Sequence, residues 1–180
     1  MTAVTTEQPA GTRVDFSESA VAQAISRIPD PEVPVISIAE LGILRSVDVD
    51  DASRTLVATV TPTYSGCPAM EAIADRIVFA AREHGYEGTV RTLLSPPWTT
   101  DWMTDEGRAA LHRFGIAPPG PASQVEASGP VLVRLARHVV ACPRCGSDDT
   151  TEIAHFGSTA CKALRRCNAC LEPFDEFKAI

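Results

Sequence analysis

The chain has 180 residues, room for one ordinary domain and a smaller one, and its 44% hydrophobic content supports packed cores rather than disorder. A formal charge of −7 argues against a general binder of nucleic acid or of anionic membrane. No run of about eighteen apolar residues occurs, which excludes a transmembrane helix.

Residues 1–14 are polar and lack an apolar core segment, so they read as a disordered arm, neither signal peptide nor anchor. The expected compartment is cytoplasmic and reducing, where thiols bind metal or do chemistry. Val21, Ala24, Ile25 and Ile28 recur at helical spacing and predict a first helix from Phe16 to Ile28. Asp15 and Glu18 are spaced as a capping box at its start. Pro29, Pro31 and Pro34 end it in a stiff acidic turn.

Leu44–Val49 and Leu56–Thr61 read as a hairpin, with Val47 and Val49 inward and the turn at 50–53. The clearest helix follows the loop 61–68. Met70, Ile73, Ala74, Ile77, Val78 and Ala81 form its apolar stripe, Pro68 suits its first position, and Gly85 or Gly88 ends it. A third strand covers Thr89–Ser95, and a helix capped by Thr104 runs to Phe114. Residues 117–130 read as a Pro/Gly linker, and the tail from 131 to 180 as short strands at 131–141, 151–156, 164–166 and 174–177. The expected fold is therefore α+β. A small α-β-β-α-β-α sandwich over residues 15–116 is followed by a β-rich, zinc-ribbon-like domain.

Five of the six cysteines lie in the last forty residues. Cys142-Pro-Arg-Cys145 and Cys167-Asn-Ala-Cys170 are two Cys-x-x-Cys knuckles separated by twenty-one residues. Two residues between cysteines let both sulfurs face one ion, and a long gap lets the second pair return on a hairpin. A structural zinc held by these four thiolates is expected; two disulfides fit a reducing compartment poorly. Cys161 is a fifth thiol, either a buried spare or an extra ligand, and a cluster of iron and sulfur in the tail is the rival reading. His138 and His155 read as strand or surface residues.

Cys67 is the lone cysteine of the first domain, at the start of its best helix. The helix dipole there favours a thiolate, so Cys67 is either a reactive thiol and metal ligand or a small cap residue. Asp30, Glu32 and Glu40 form an acidic loop suited to a hard cation or, more ordinarily, to turn formation. Trp98 and Trp102 are core plugs or an exposed patch. No phosphate loop, dinucleotide fingerprint, nucleophile elbow or His-Glu-x-x-His occurs, so the chain lacks the marks of an enzyme of its own.

Four motifs then stand in a familiar order: Asp30-Pro-Glu-Val-Pro34, Ser37-Ile-Ala-Glu-Leu-Gly-Ile-Leu44, Thr61-Pro-Thr-Tyr-Ser-Gly-Cys-Pro68 and Ser95-Pro-Pro-Trp-Thr99. Over residues 17–116 the chain resembles the metal–sulfur cluster assembly factors, which assist iron–sulfur protein maturation. With the tail motifs 156–164 and 170–175, the whole chain resembles the D-subunit family encoded with bacterial phenylacetyl-CoA epoxidases. The resemblance implies an accessory role without catalysis of its own. The partners it implies are the oxygenase and reductase components, and the cargo a transient iron–sulfur cluster or iron. It maps the family's reactive cysteine onto Cys67, although Thr63-Tyr64-Ser65-Gly66 makes this loop longer than is usual, and Glu40 stands where many relatives have Asp. A non-catalytic adaptor docking through its ribbon is the alternative; a membrane or nucleic-acid partner is not expected.

Overall fold

The computed structural model describes residues 15–17, 19–64, 66–120 and 139–178. The chain forms two compact units that divide between Thr104 and Asp105.

In the first unit, helix α1 (Ala20–Ser26) is shorter than the periodicity of residues 16–28 predicts. Ser19 is its N-cap, with no side-chain cap bond. Asp15 Oδ1 instead accepts from the Ser17 N–H, and Glu18 lies outside the described residues. The helix stops early because Pro29 cannot donate a hydrogen bond and biases Ile28 away from helical backbone.

The proline-rich stretch that follows is more than a stiff turn. Val33, Ile36, Ile38, Leu41 and Ile43 are each no more than 2% exposed. Their backbone is satisfied locally: Asp30 N–H donates to Ile36 O, Ile38 N–H to Ile28 O and Leu44 N–H to Ile38 O. Each such side chain contributes roughly 1.5–3 kcal/mol of burial free energy, so this loop is part of the core.

Strands β1 (Leu44–Asp50) and β2 (Thr55–Val60) pair antiparallel, with Val49 opposite Leu56 and Val47 opposite Ala58. Helix α2 (Ala69–Glu83) crosses over, and β3 (Glu87–Thr92) returns parallel to β2. The strand order is β1-β2-β3. Ala69, Ile73, Ile77 and Ala81 are the buried face of α2, one residue per turn. Gly88 lets α2 approach β3, since a Cβ there would fall 2.7 Å from Ala81 Cβ. Arg54, at positive φ in the hairpin turn, donates to Gly85 O and His84 O and stacks on Tyr86, pinning the two turns together.

Both tryptophans are packed into this unit. Trp98 is buried and its Nε1–H donates to Leu41 O at 3.0 Å. The Arg45 guanidinium lies 3.6 Å over the Trp102 ring. Between them Gly42 takes φ +77°, with Trp102 so close that a Cβ would sit 2.7 Å from its backbone oxygen.

The second unit holds α3 (Asp105–Phe114) and a sheet ordered β4-β7-β6-β5. Its strands are β4 (Ile116–Ala117), β5 (Thr150–Ala154), β6 (Lys162–Cys167) and β7 (Pro173–Phe177). The sequence reading places residues 105–116 with the first domain and starts a linker at 117. Here Ile116 and Ala117 pair with Asp175 and Glu176, and α3 clusters with the tail. Of the expected strand 131–141, residues 131–138 lie outside the described residues and 139–141 are not in a strand.

Gly42→Ala is expected to destabilise the first unit by about 2–3 kcal/mol, combining left-handed backbone cost with a backbone clash. Urea unfolding followed by tryptophan fluorescence reads this unit selectively, because both tryptophans of the chain lie in it. An unchanged midpoint would refute the assignment.

Candidate metal centre

The two Cys-x-x-Cys segments fold as matching knuckles. Cys142 N–H donates to Ser147 O and Gly146 N–H returns to Cys142 O. Cys167 N–H donates to Glu172 O and Leu171 N–H returns to Cys167 O. The fourth residue past each leading cysteine has positive φ, +75° at Gly146 and +66° at Leu171. This turn aims both sulfurs of a knuckle to one side. Cys170 N–H also points at Cys167 Sγ, 3.4 Å away.

The knuckles face each other. The Sγ atoms of Cys142, Cys145, Cys167 and Cys170 all lie within 4.8 Å of one another, the one such group of three or more metal-ligating side chains among the described residues. Cys142 and Cys167 are buried; Cys145 and Cys170 reach the surface. Cys145–Cys167 stand 3.5 Å apart and Cys142–Cys170 3.8 Å. A tetrahedral ion with metal–sulfur bonds of about 2.3 Å requires edges of about 3.8 Å, so the donor set fits a closed four-thiolate site.

The protonation pattern points the same way. The Cys170 N–H, first among several causes, lowers Cys167 to about 7. The Glu172 N–H favours a Cys170 thiolate, but burial and the three neighbouring sulfurs outweigh it and push that thiol up to about 12. The cluster resists holding several negative charges unless a cation sits among them.

The surrounding fold fixes the two knuckles. Cys142 and Cys167 share a buried cluster with Ala117, Val140 and Phe174. Asn168 N–H donates to Asp149 O, and its side chain donates to Asp149 Oδ1 and Thr151 Oγ1. Thr150 Oγ1 donates to Val140 O at 2.8 Å. Arg165 and Glu176 form a buried ion pair between β6 and β7. Of these supports only Asn168, inside the second Cys-x-x-Cys, stands where the cysteine spacing itself marks it; the others are joined by tertiary pairing.

Cys161 is not drawn into the centre. It is buried beneath its own loop, with Thr159 Oγ1 3.0 Å from its sulfur. His155 is exposed beside Glu152 and Phe156, and His138 lies outside the described residues.

In the first unit, Pro68 is the N-cap of α2, so Cys67 precedes the cap. Cys67 N–H donates to Tyr64 O, and its carbonyl accepts from Met70. The thiol is half-buried. Burial, the largest effect, raises its pKa; the Ala69 N–H opposes this, the Glu32 and Asp30 charges reinforce it, and Tyr64 lowers it. The helix dipole does not prevail at this position: desolvation and two carboxylates outweigh one N–H and hold the thiol less acidic than an ordinary cysteine.

Asp30 and Glu32 therefore share a neighbourhood with Cys67. Asp30 is buried, its Oδ1 accepting from the Glu32 and Val33 N–H groups, and Arg76 of α2 donates to Pro29 O beside it. Glu40 does other work: its carboxylate accepts from Ser37 N–H and Oγ–H and closes the turn 37–40.

Residues 18–91 match a family model described as an iron–sulfur cluster assembly protein, and residues 127–178 one described as a PaaD zinc beta ribbon domain. A protein of Escherichia coli (strain K12), named provisionally as the D subunit of 1,2-phenylacetyl-CoA epoxidase, is 48% identical over 157 residues, spanning 87% of this chain and 89% of that one. The chain belongs to this D-subunit family. The chain is also similar to the Fe-S protein maturation auxiliary factor SufT of Staphylococcus aureus (strain USA300), 37% identical over 84 residues, or 46% of this chain and 93% of that protein. A crystal structure of the domain of unknown function DUF59 from Bacillus anthracis, 26% identical, covers 51% of this chain and 87% of that one at a TM-score of 0.46.

Two outcomes follow for this member of the D-subunit family. Cys142→Ser or Cys170→Ser is expected to abolish bound metal while Cys161→Ser retains it, as read by elemental analysis of the purified protein; equal loss in all three would contradict the four-ligand set. Alkylation of Cys67 by iodoacetamide is expected to be slow at neutral pH and to climb only above the ordinary thiol range, because its raised pKa leaves little thiolate below it. Mass spectrometry of the Cys67 peptide across a pH series reads this, and rapid neutral labelling would contradict it.

Proposed function

We propose that this chain is a non-catalytic accessory protein of a phenylacetyl-CoA epoxidase, and that it helps assemble an iron–sulfur or di-iron centre in the oxygenase or reductase component. The observation that carries the reading is the pairing of two unlike thiol sites in one chain of the D-subunit family. One is a closed four-cysteine cluster; the other is a single half-buried cysteine beside carboxylates.

The four thiolates of Cys142, Cys145, Cys167 and Cys170 are assigned to a structural zinc. Four protein ligands leave no open position for water or substrate, so the ion's contribution is to fold the ribbon. The ribbon is assigned to docking on the epoxidase component that receives the centre.

Cys67 is assigned the transfer role. As a neutral thiol it is a poor standing nucleophile. An incoming iron ion or cluster changes that: its positive charge displaces the thiol proton, and Asp30 and Glu32 favour the cation's approach. Release to a partner reverses the exchange, with the proton returning to sulfur. Neither an open metal position nor a nucleophile–base pair is required of this chain. The site is placed in the cytoplasm, where these thiols stay reduced.

Cells carrying only Cys67→Ser are expected to yield epoxidase reductase with at least a several-fold lower iron–sulfur content, while the variant itself folds and keeps its zinc. Fully loaded reductase from those cells would sink the transfer role and leave the ribbon-docked adaptor.

A further inference from the structure

The four cluster sulfurs are not equivalent, and their inequality is ordered. Cys145 and Cys170 are exposed; Cys142 and Cys167 are 1% and 0% exposed. Each exposed sulfur stands close to a buried one on the opposite knuckle: Cys145 is 3.5 Å from Cys167 and Cys170 is 3.8 Å from Cys142. An accessible sulfur with a sheltered partner in reach is the arrangement of an attacked thiol and a resolving thiol.

We propose that the cluster is also an oxidative modification site, at which peroxide exchanges the bound ion for two disulfides across the knuckles, Cys145–Cys167 and Cys142–Cys170. This rests on the assignment of a metal to the four thiols. Peroxide oxidises the exposed Cys145 sulfur to a sulfenic acid as its O–O bond breaks. The Cys167 sulfur then attacks Cys145 Sγ, the S–S bond forms, and the hydroxyl leaves as water after taking up a proton. Cys170 and Cys142 repeat the sequence. In sum, two peroxides and four protons are consumed, four thiolates become two disulfides, four waters form and one divalent ion is freed.

The cross-knuckle pairing has a structural consequence. Bonds within each Cys-x-x-Cys would leave the two knuckles unconnected once the ion departs. Bonds across them keep the strands that carry the knuckles, β5 to β7, joined at the end where the ion had held them. The buried Arg165–Glu176 pair and Phe174 then remain packed. Cys161, buried beside Thr159, and Cys67, a half-buried neutral thiol in the other unit, stand outside the group of four and serve as internal controls.

The experiment uses the full zinc-loaded chain, freed of reductant and titrated anaerobically with hydrogen peroxide. Zinc release is followed with a chromogenic chelator, and the product is digested with trypsin without reduction. Trypsin cuts after Arg144 and Arg166, so the residue 142 and residue 145 cysteines fall on different peptides and the knuckle at 167–170 on a third. The expected result is one zinc released per two peroxides, and three peptides joined through the third, with fragmentation assigning 145–167 and 142–170. Cys67 and Cys161 remain open to alkylation, and dithiothreitol with zinc restores the starting form. Retention of zinc at excess peroxide overturns the proposal, as do bonds within the knuckles or conversion of the cysteines to sulfinic or sulfonic acids. A preparation that never binds zinc would instead contradict the metal assignment, which the elemental analysis of the unoxidised protein reads separately.

Discussion

Four sulfurs within 4.8 Å of one another are the constraint around which the second unit is organised. Like charges that close cannot all ionise in water-poor surroundings without a compensating cation. The two knuckles, the positive φ at Gly146 and Leu171, and the Asn168 bonds to Asp149 and Thr151 all serve to hold these four atoms where one ion can satisfy them. Directly beneath the knuckles the apolar cluster is small. Five buried residues form the cluster beneath the knuckles, and two of the five are the cysteines themselves.

The first unit solves a different problem with the same element. Cys67 stands apart from other sulfurs, half-buried, with Asp30 and Glu32 near enough to disfavour its thiolate. The loop bearing those acids is rigid because Val33, Ile36 and Ile38 are core residues. Burial of hydrophobic neighbours in the loop thus sets the charge environment of the cysteine. One chain carries a thiol cluster that demands a cation and a lone thiol that is quiet without one.

The cysteine spacing made the ribbon legible, because Cys-x-x-Cys repeats constrain geometry almost independently of the rest of the fold. The periodicity of Ile73, Ile77 and Ala81 did the same for α2. Three things were not legible. The proline-rich stretch looked like a polar turn, since its apolar residues follow neither a helical nor a strand period. The two-residue strand Ile116–Ala117 has too few residues to show any pattern, so the pairing that moves α3 into the second unit left no trace in the sequence. At Cys67 the local dipole argument pointed to a thiolate. The decisive terms, burial and the acids some thirty-five residues earlier in the chain, belong to tertiary structure.

The strand orders of the two sheets differ in a way that bears on how the chain is made. Every pairing in β1-β2-β3 joins neighbours in sequence, one through a hairpin turn and one through the α2 crossover, so the first sheet is complete by Thr92. The second sheet sets β4, its first strand, beside β7, its last, and so cannot close until nearly the whole chain is available. Sheets built from local contacts form faster than those that await distant ones. During synthesis from the N-terminus the Cys67 unit can therefore fold while the ribbon is still being made, and metal capture by the four cysteines falls at the end of the order.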